Sequence, residues 1–320
     1  MKGFLLLPAL AFFSVVCFAE DASGEKDFFT APVLLYDYVS LDGQQFHAPG
    51  EGLIFTKGKL PPAFGEKRNS LSVMAMARQY FFMQKNAPGY ADRYHDIGLA
   101  AEWQFGRHQI RGFLQSASNE PFYGGLRTVK AGAGYGYDVL HTERFSLTLG
   151  GILAVSDFGL EYADGKIWPV IPLPLVRFTF NAPLVDLEAE LMAITPSLKC
   201  TLLPDRRFRL ITEARMNGYR HVRNIIFDCS LWYRFFDQNS KRGDFAGIGI
   251  GANSNSASFN LDGKDKDYEL QYFSVYGKLD VSFLSICGGY AFGGRELYDE
   301  EAAGGTGDGF FVSVRLAYRF

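Results

Sequence analysis

The stretch "GFFVSVRLAYRF", residues 309–320, is apolar on every second position. Phe310, Val312, Val314, Leu316, Tyr318 and Phe320 share one parity; Phe311, Ser313, Arg315, Ala317 and Arg319 share the other. Successive side chains of a strand point to opposite faces, so this alternation predicts a strand with one apolar and one mixed, charge-bearing face. The same pattern recurs upstream. In residues 224–235, Ile225, Phe227, Cys229, Leu231, Tyr233 and Phe235 oppose Asn224, Asp228, Ser230 and Arg234. In residues 207–216, Phe208, Leu210, Thr212, Ala214 and Met216 oppose Arg207, Arg209, Glu213 and Arg215. In residues 184–191, Val185, Leu187, Ala189 and Leu191 oppose Asp186, Glu188 and Glu190.

The chain has 320 residues and a formal net charge of −3, which offers no basic excess for binding nucleic acid. Its first residues read as an export signal: Lys2, the apolar core "GFLLLPALAFFSVV" and the small residues Cys17 and Ala19, predicting a signal peptide over 1–19 cleaved after Ala19. A lipid-modified Cys17 fits less well, because the bulky Val16 precedes it. Beyond this segment no run of about 18 apolar residues occurs. An exported chain of this kind is either soluble outside the inner membrane or a barrel, because helices and closed barrels are the only spanning solutions. Cys200, Cys229 and Cys287 are far apart and odd in number, so they form neither a disulfide framework nor a metal spacing.

The connections decide between the two. Short ones near 106, 141, 182, 220, 255 and 278 alternate with long ones at 84–93, 117–125, 157–167, 195–206, 236–243, 262–266 and 293–309. Outer-membrane barrels have short turns on one rim and longer loops on the other. The expected fold is an all-β antiparallel transmembrane barrel over 69–320 with about fourteen strands, 244–252 and 256–261 among them, or about twelve if 256–261 and a neighbour are one irregular segment. Residues 20–68 contain two possible strands, "APVLLYDYV" and "GLIFTKG", followed by the breaker "KLPPAFGEKR". They are expected to form an N-terminal lead-in that enters or caps the lumen, a plug included.

The terminal pattern closing on Tyr318 and Phe320 resembles the C-terminal recognition signal of bacterial outer-membrane barrel proteins, which implies barrel-assembly machinery as a partner. The rest of the chain, "WPVIPLPLVRF" included, resembles uncharacterised outer-membrane β-barrel proteins of diderm bacteria, spirochaetes among them. That resemblance implies an outer-membrane location and contact with lipid. The long-chain fatty-acid transporters also have fourteen strands and an N-terminal plug, but their Asn-Pro-Ala signature is absent here, so that likeness is architectural only.

With the apolar parity facing lipid, Arg177, Asp186, Glu188, Glu190, Arg207, Arg209, Glu213, Arg215, Asp228 and Arg234 line the lumen. Acidic and basic rows on the neighbouring strands 184–194 and 207–218 would stand within ion-pair range. They would form either a polarised pore lining or a salt-bridge ladder in a closed barrel. Gly132, Gly134 and Gly136, and again Gly247, Gly249 and Gly251, fall on lumen-facing parity. Such lanes admit a close approach by the lead-in or a solute, or simply relieve crowding. Pro172 and Pro174 weaken one seam, as a lateral exit or where the ladder stops at a rim.

No catalytic set emerges. His221 has no following Ser, His95 merely adjoins Asp96, and His47, His108 and His141 lack partners at ligand spacing. The acidic stretches near 262 and 298 lack the calcium-loop pattern. The expected function is a passive channel or transporter for small solutes, without cofactor or metal. The alternatives are a closed structural or surface-interaction barrel and, further off, a barrel hydrolase.

Overall fold

The computed structural model describes residues 28–57, 69–83, 91–157, 169–192, 195–216, 225–235, 246–261, 267–281, 283–298 and 301–317. It holds β1 (Phe28–Leu41), β2 (Gln44–Lys57), β3 (Asn69–Phe82), β4 (Arg93–Phe105), β5 (His108–Ser118), β6 (Lys130–His141), β7 (Phe145–Val155) and β8 (Val170–Ala182). There follow β9 (Val185–Met192), β10 (Thr195–Leu202), β11 (Phe208–Met216), β12 (Ile225–Arg234), β13 (Ala246–Asn260), β14 (Asp267–Val281), β15 (Leu284–Tyr298) and β16 (Glu301–Ala317). All sixteen pair antiparallel with their sequence neighbours, and β16 closes on β1 from Leu41↔Gly309 to Val33↔Ala317. Each strand is hydrogen-bonded to a neighbour on both sides, so the barrel closes on itself, which is what a strand structure in lipid requires.

The expected barrel is present, with sixteen strands where about fourteen were expected. Three differences make up the count. Residues 28–57, expected as a lead-in, are the wall hairpin β1–β2, turning at Asp42 and Gly43. An Asp-Gly pair between apolar runs is a strong hairpin signal; Pro32, Pro49 and the glycines of β2 obscure it. Residues 195–202, expected within a loop, are β10: Leu198 and Leu202 point outward and Ser197, Lys199 and Thr201 inward, an alternation hidden by its length and by Pro196. The two segments 244–252 and 256–261 are one strand, β13, without a turn near 255.

The strict alternation of short and long connections does not hold either. The ends of β1 and β2, of β9 and β10 and of β15 and β16 are each two residues apart in sequence at the rim of the long connections, whereas β2 ends at Lys57 and β12 at Arg234 on the opposite rim, well before β3 and β13 begin. Residues 293–298 and 301–309, expected within a long connection, are the bulged far half of the β15–β16 hairpin. Their glycines suit bends within strands as well as turns.

The outer face is apolar, as the parity rule requires. Ile250 is 63% exposed, and Leu153, Leu231, Ile248, Phe310 and Leu316 are exposed beside it. A water-soluble monomer does not carry an apolar surface of this extent; a lipid-facing wall does. Pro172 and Pro174 lie on this outer parity. Their ladder with β7 continues to Val170, whereas the ladder with β9 begins only at Leu175. The prolines therefore sit where one flank has no strand beside it, at a rim, and not in a weakened seam.

Candidate functional site: the lumen

Charge identifies the inner face. Arg111 of β5 pairs with Glu190 of β9 and, at 3.1 Å, with Glu102 of β4. Three strands separate β5 from β9, about 19 Å along the wall at the usual strand spacing. A direct pair between them means that the wall curves sharply here and that the lumen is spanned by two side chains. Arg177 of β8 donates to Glu188 of β9 at 2.9 Å. Asp186, Arg209, Glu213, Arg215, Asp228 and Arg234 share this inward parity through the register from β8 to β13. Arg207 precedes β11, in the turn between it and β10.

The acidic and basic rows are not neighbours. β10 stands between them, so Glu190 faces Ser197, which faces Arg215, and Glu188 faces Lys199, which faces Glu213. The acids of β9 turn back instead to Arg177 and Arg111. Beyond β10, Glu213 lies directly opposite Asp228, a like-charge juxtaposition across the two strands. Asp228 is relieved by the Tyr276 hydroxyl, 2.8 Å from each of its oxygens. Among the described residues, Lys199 and Glu213 have no ion-pair partner.

Among the described residues, neighbouring side chains lie over several glycines of the two lanes. A Cβ on Gly251 would sit 2.7 Å from the Tyr276 ring as that ring crosses β13 to reach Asp228. A Cβ on Gly249 would fall 2.9 Å from the Trp232 indole. That ring carries Lys278 Nζ 5.0 Å and the Arg209 guanidinium 5.8 Å from its centroid, both within cation–π range. Gly132 is overlain by Phe113 and Gly134 by Ile152. Phe113, Ile152, Ala154, Ile171, Leu173 and Leu175 thus form a small apolar cluster inside the lumen on the β5–β8 side.

A larger filling comes from the wall itself. The β12–β13 ladder stops at Asp228↔Asn253. There Ser254 Oγ accepts from the Phe227 amide at 2.9 Å and donates to the Ile225 carbonyl at 3.2 Å, replacing the lost ladder bonds. Beyond this stitch β13 leaves the wall, turns inward and touches β5 at Asn260↔Ser118. Phe259 packs on Tyr94 with centroids 4.7 Å apart, and Tyr268 meets Tyr94 and Phe82 at 5.4 Å each. Glu296, 1% exposed, accepts from Gln44 and from the Tyr268 hydroxyl at 2.6 and 2.7 Å. Burying Phe259, Leu261, Tyr268 and Leu270 contributes about 6–12 kcal/mol on side-chain transfer values, an upper range. This explains why "ANSNSASFN" reads poorly as a membrane strand. Its outer half never meets lipid, so neither face need be uniformly apolar.

Under this infolded part lies a cavity of about 440 Å³. Arg78 and Asp37, paired with each other, line it from β3 and β1. Lys199, Glu213, Asp228 and Trp232 line the opposite wall, and Asn255, Ser256 and Tyr272 come from the infold. The arrangement sets fixed charges of both signs around a polar cavity. The missed members of the lumen, Arg78, Lys199 and Tyr276 at this cavity and Arg111 beside Glu190, obey the same parity as the predicted ones, so a consistent inward reading of every strand finds them. His95 and Asp96 are successive in β4 and face opposite ways, and Asp96 accepts from Gln115 at 2.9 Å. His47 and His108 each bond a tyrosine, Tyr36 and Tyr135, at 2.6 Å. Tyr318, Phe320, His221 and the segment 1–19 lie outside the described residues.

No protein-family model and no curated protein matches the chain. Solved structures similar to it include OccAB3 of Acinetobacter baumannii, with 10% identity, 92% of this chain and 100% of that one covered and a TM-score of 0.42. OccAB2 of the same organism shows 10% identity, coverage of 94% and 100%, and a TM-score of 0.39. OpdK of Pseudomonas aeruginosa, in a structure with vanillate, shows 9% identity, coverage of 92% and 99%, and a TM-score of 0.37. The barrel architecture stated above rests on the closed strand ladder of this chain itself.

Proposed function

We propose that the chain is a passive outer-membrane channel for small, polar solutes. One observation carries the reading: a closed sixteen-strand barrel with an apolar outer wall encloses a cavity lined by fixed charges of both signs. Barrels of this strand number leave an aqueous lumen unless something fills it. Selection would come from bore and from the field of Lys199, Glu213 and Asp228. Delivery would use the export segment 1–19, cleaved after Ala19, and the terminal aromatic Phe320 read by barrel-assembly machinery.

A second reading, a closed structural barrel, is favoured by the two apolar clusters inside the lumen. Planar-bilayer recording of refolded protein separates the two. Discrete conductance steps, with swelling of liposomes in a permeant sugar, support the channel. Neither signal from correctly folded protein overturns it.

A further inference from the structure

We propose that the infolded sheet of β13–β16 is a fixed size filter for this channel, permanently closing one side of the lumen and confining solutes to a slot along β10–β12. The inference rests on the channel reading and says where the limit of that channel lies.

The infold is bounded by a line of interruptions across four strands. β13 leaves β12 at Ser254. The β14–β15 register shifts between Gln271 and Phe273, and the β15–β16 register between Ala291 and Gly294. On that line Gly293 has φ +62° and Gly307 φ +69°, conformations that side-chain-bearing residues rarely adopt. Bulges of this kind bend a sheet at a defined place. Four strands interrupted side by side make one crease, and the part beyond it is set inward as one piece.

The position of that unit is what makes it a filter. Its near edge, Asn255, Ser256 and Tyr272, forms one side of the cavity whose other side is Lys199, Glu213 and Asp228. Any solute crossing the lumen passes between these two sets. A hinged lid would show a wet or sparsely packed seat. Here Tyr94, Tyr268 and Leu270 are 0% exposed at the seat, with Phe259 locked among them. Apolar packing of this density holds the infold down during each passage, so it sets a cutoff and does not gate.

The test uses the full-length protein refolded in lipid, its native cysteines replaced by serine. Cysteines at the register partners Ser118 and Asn260 tie the infold to β5. Conductance should be the same oxidised and reduced; a severalfold drop on oxidation would show a moving gate and overturn the proposal. Independently, Phe259→Ala with Tyr268→Ala should raise conductance at least twofold and admit larger neutral sugars in liposome swelling. Folding is checked by heat-modifiable mobility, and if the double variant does not fold, Phe259→Ala alone carries the test with a smaller rise. A folded variant with unchanged conductance and cutoff overturns the filter while leaving the channel standing. No conductance in any folded form overturns the channel and the filter with it.

Discussion

The Tyr276 hydroxyl reaches over β13 to both carboxylate oxygens of Asp228, 2.8 Å from each. It can do so because the residue between them in the register is Gly251. A side chain there would meet the tyrosine ring and the Cys229 carbonyl, both 2.7 Å from the added Cβ. Gly251→Ala should therefore destabilise the barrel by about 1–3 kcal/mol through overpacking. Thermal unfolding in detergent, followed by the gel shift between folded and unfolded forms, reads the change. Gly277, with nothing within 4 Å of an added Cβ, is the control, and Gly277→Ala should leave the transition in place.

The Arg111–Glu190 pair joins strands that are not neighbours, and its Arg111 side chain is only 10% exposed. Removing one partner of a largely buried pair leaves the other uncompensated, which costs more than the pair itself contributes. Glu190→Gln and Arg111→Gln should each lower the unfolding transition, by about 1–3 kcal/mol. The double variant should lose less than the sum. Strict additivity in that double-mutant cycle would mean that the two side chains do not interact across the lumen.

How far the sequence led is clearest in the strands that break its rule. Alternation in residues 185–191, 208–216 and 225–234 assigned inward and outward faces that the register reproduces, because these strands have lipid on one side and the lumen on the other. The rule fails where that asymmetry fails. Beyond Ser254, β13 has protein on both sides, so its Asn and Ser run reads as a turn. β10 follows the rule but spans eight residues, too few to outweigh Pro196 and Ser197. Missing β10 also set the acidic row of β9 beside the basic row of β11. The pairs that form instead, Arg111–Glu190 and Arg177–Glu188, depend on wall curvature and on diagonal reach, which no local pattern encodes.

Ion selectivity should depend more on Glu213 than on Glu188. Both face the lumen, but Glu188 is held by Arg177, whereas Glu213 borders the cavity without an ion-pair partner among the described residues. A charge already paired contributes little field to a passing ion. In bilayers under a salt gradient, Glu213→Gln should shift the reversal potential toward anions, and Glu188→Gln should shift it less. Lys199→Gln should shift it the other way. Equal shifts from Glu213→Gln and Glu188→Gln would place the ion path along β9 and away from the cavity. The contrast should fade at high salt, where screening shortens the reach of each charge to about 3 Å at 1 M.

Residues 28–57 supply the sharpest contrast between a lead-in and a wall. A lead-in can be deleted and leave a closed barrel with an emptier lumen, so its removal would raise conductance without altering stability. As β1 and β2, these residues pair with β16 on one side and β3 on the other. Deleting them exposes two long edges whose backbone groups have no water to replace their partners in the membrane interior. They also carry Gln44, which bonds Glu296, and Phe46 and Val39 from the aromatic seat of the infold. The chain lacking 28–57 should fail to give the heat-modifiable folded band on refolding into lipid vesicles. Recovery of a folded, wider channel from that deletion would restore the lead-in and remove β1 and β2 from the wall.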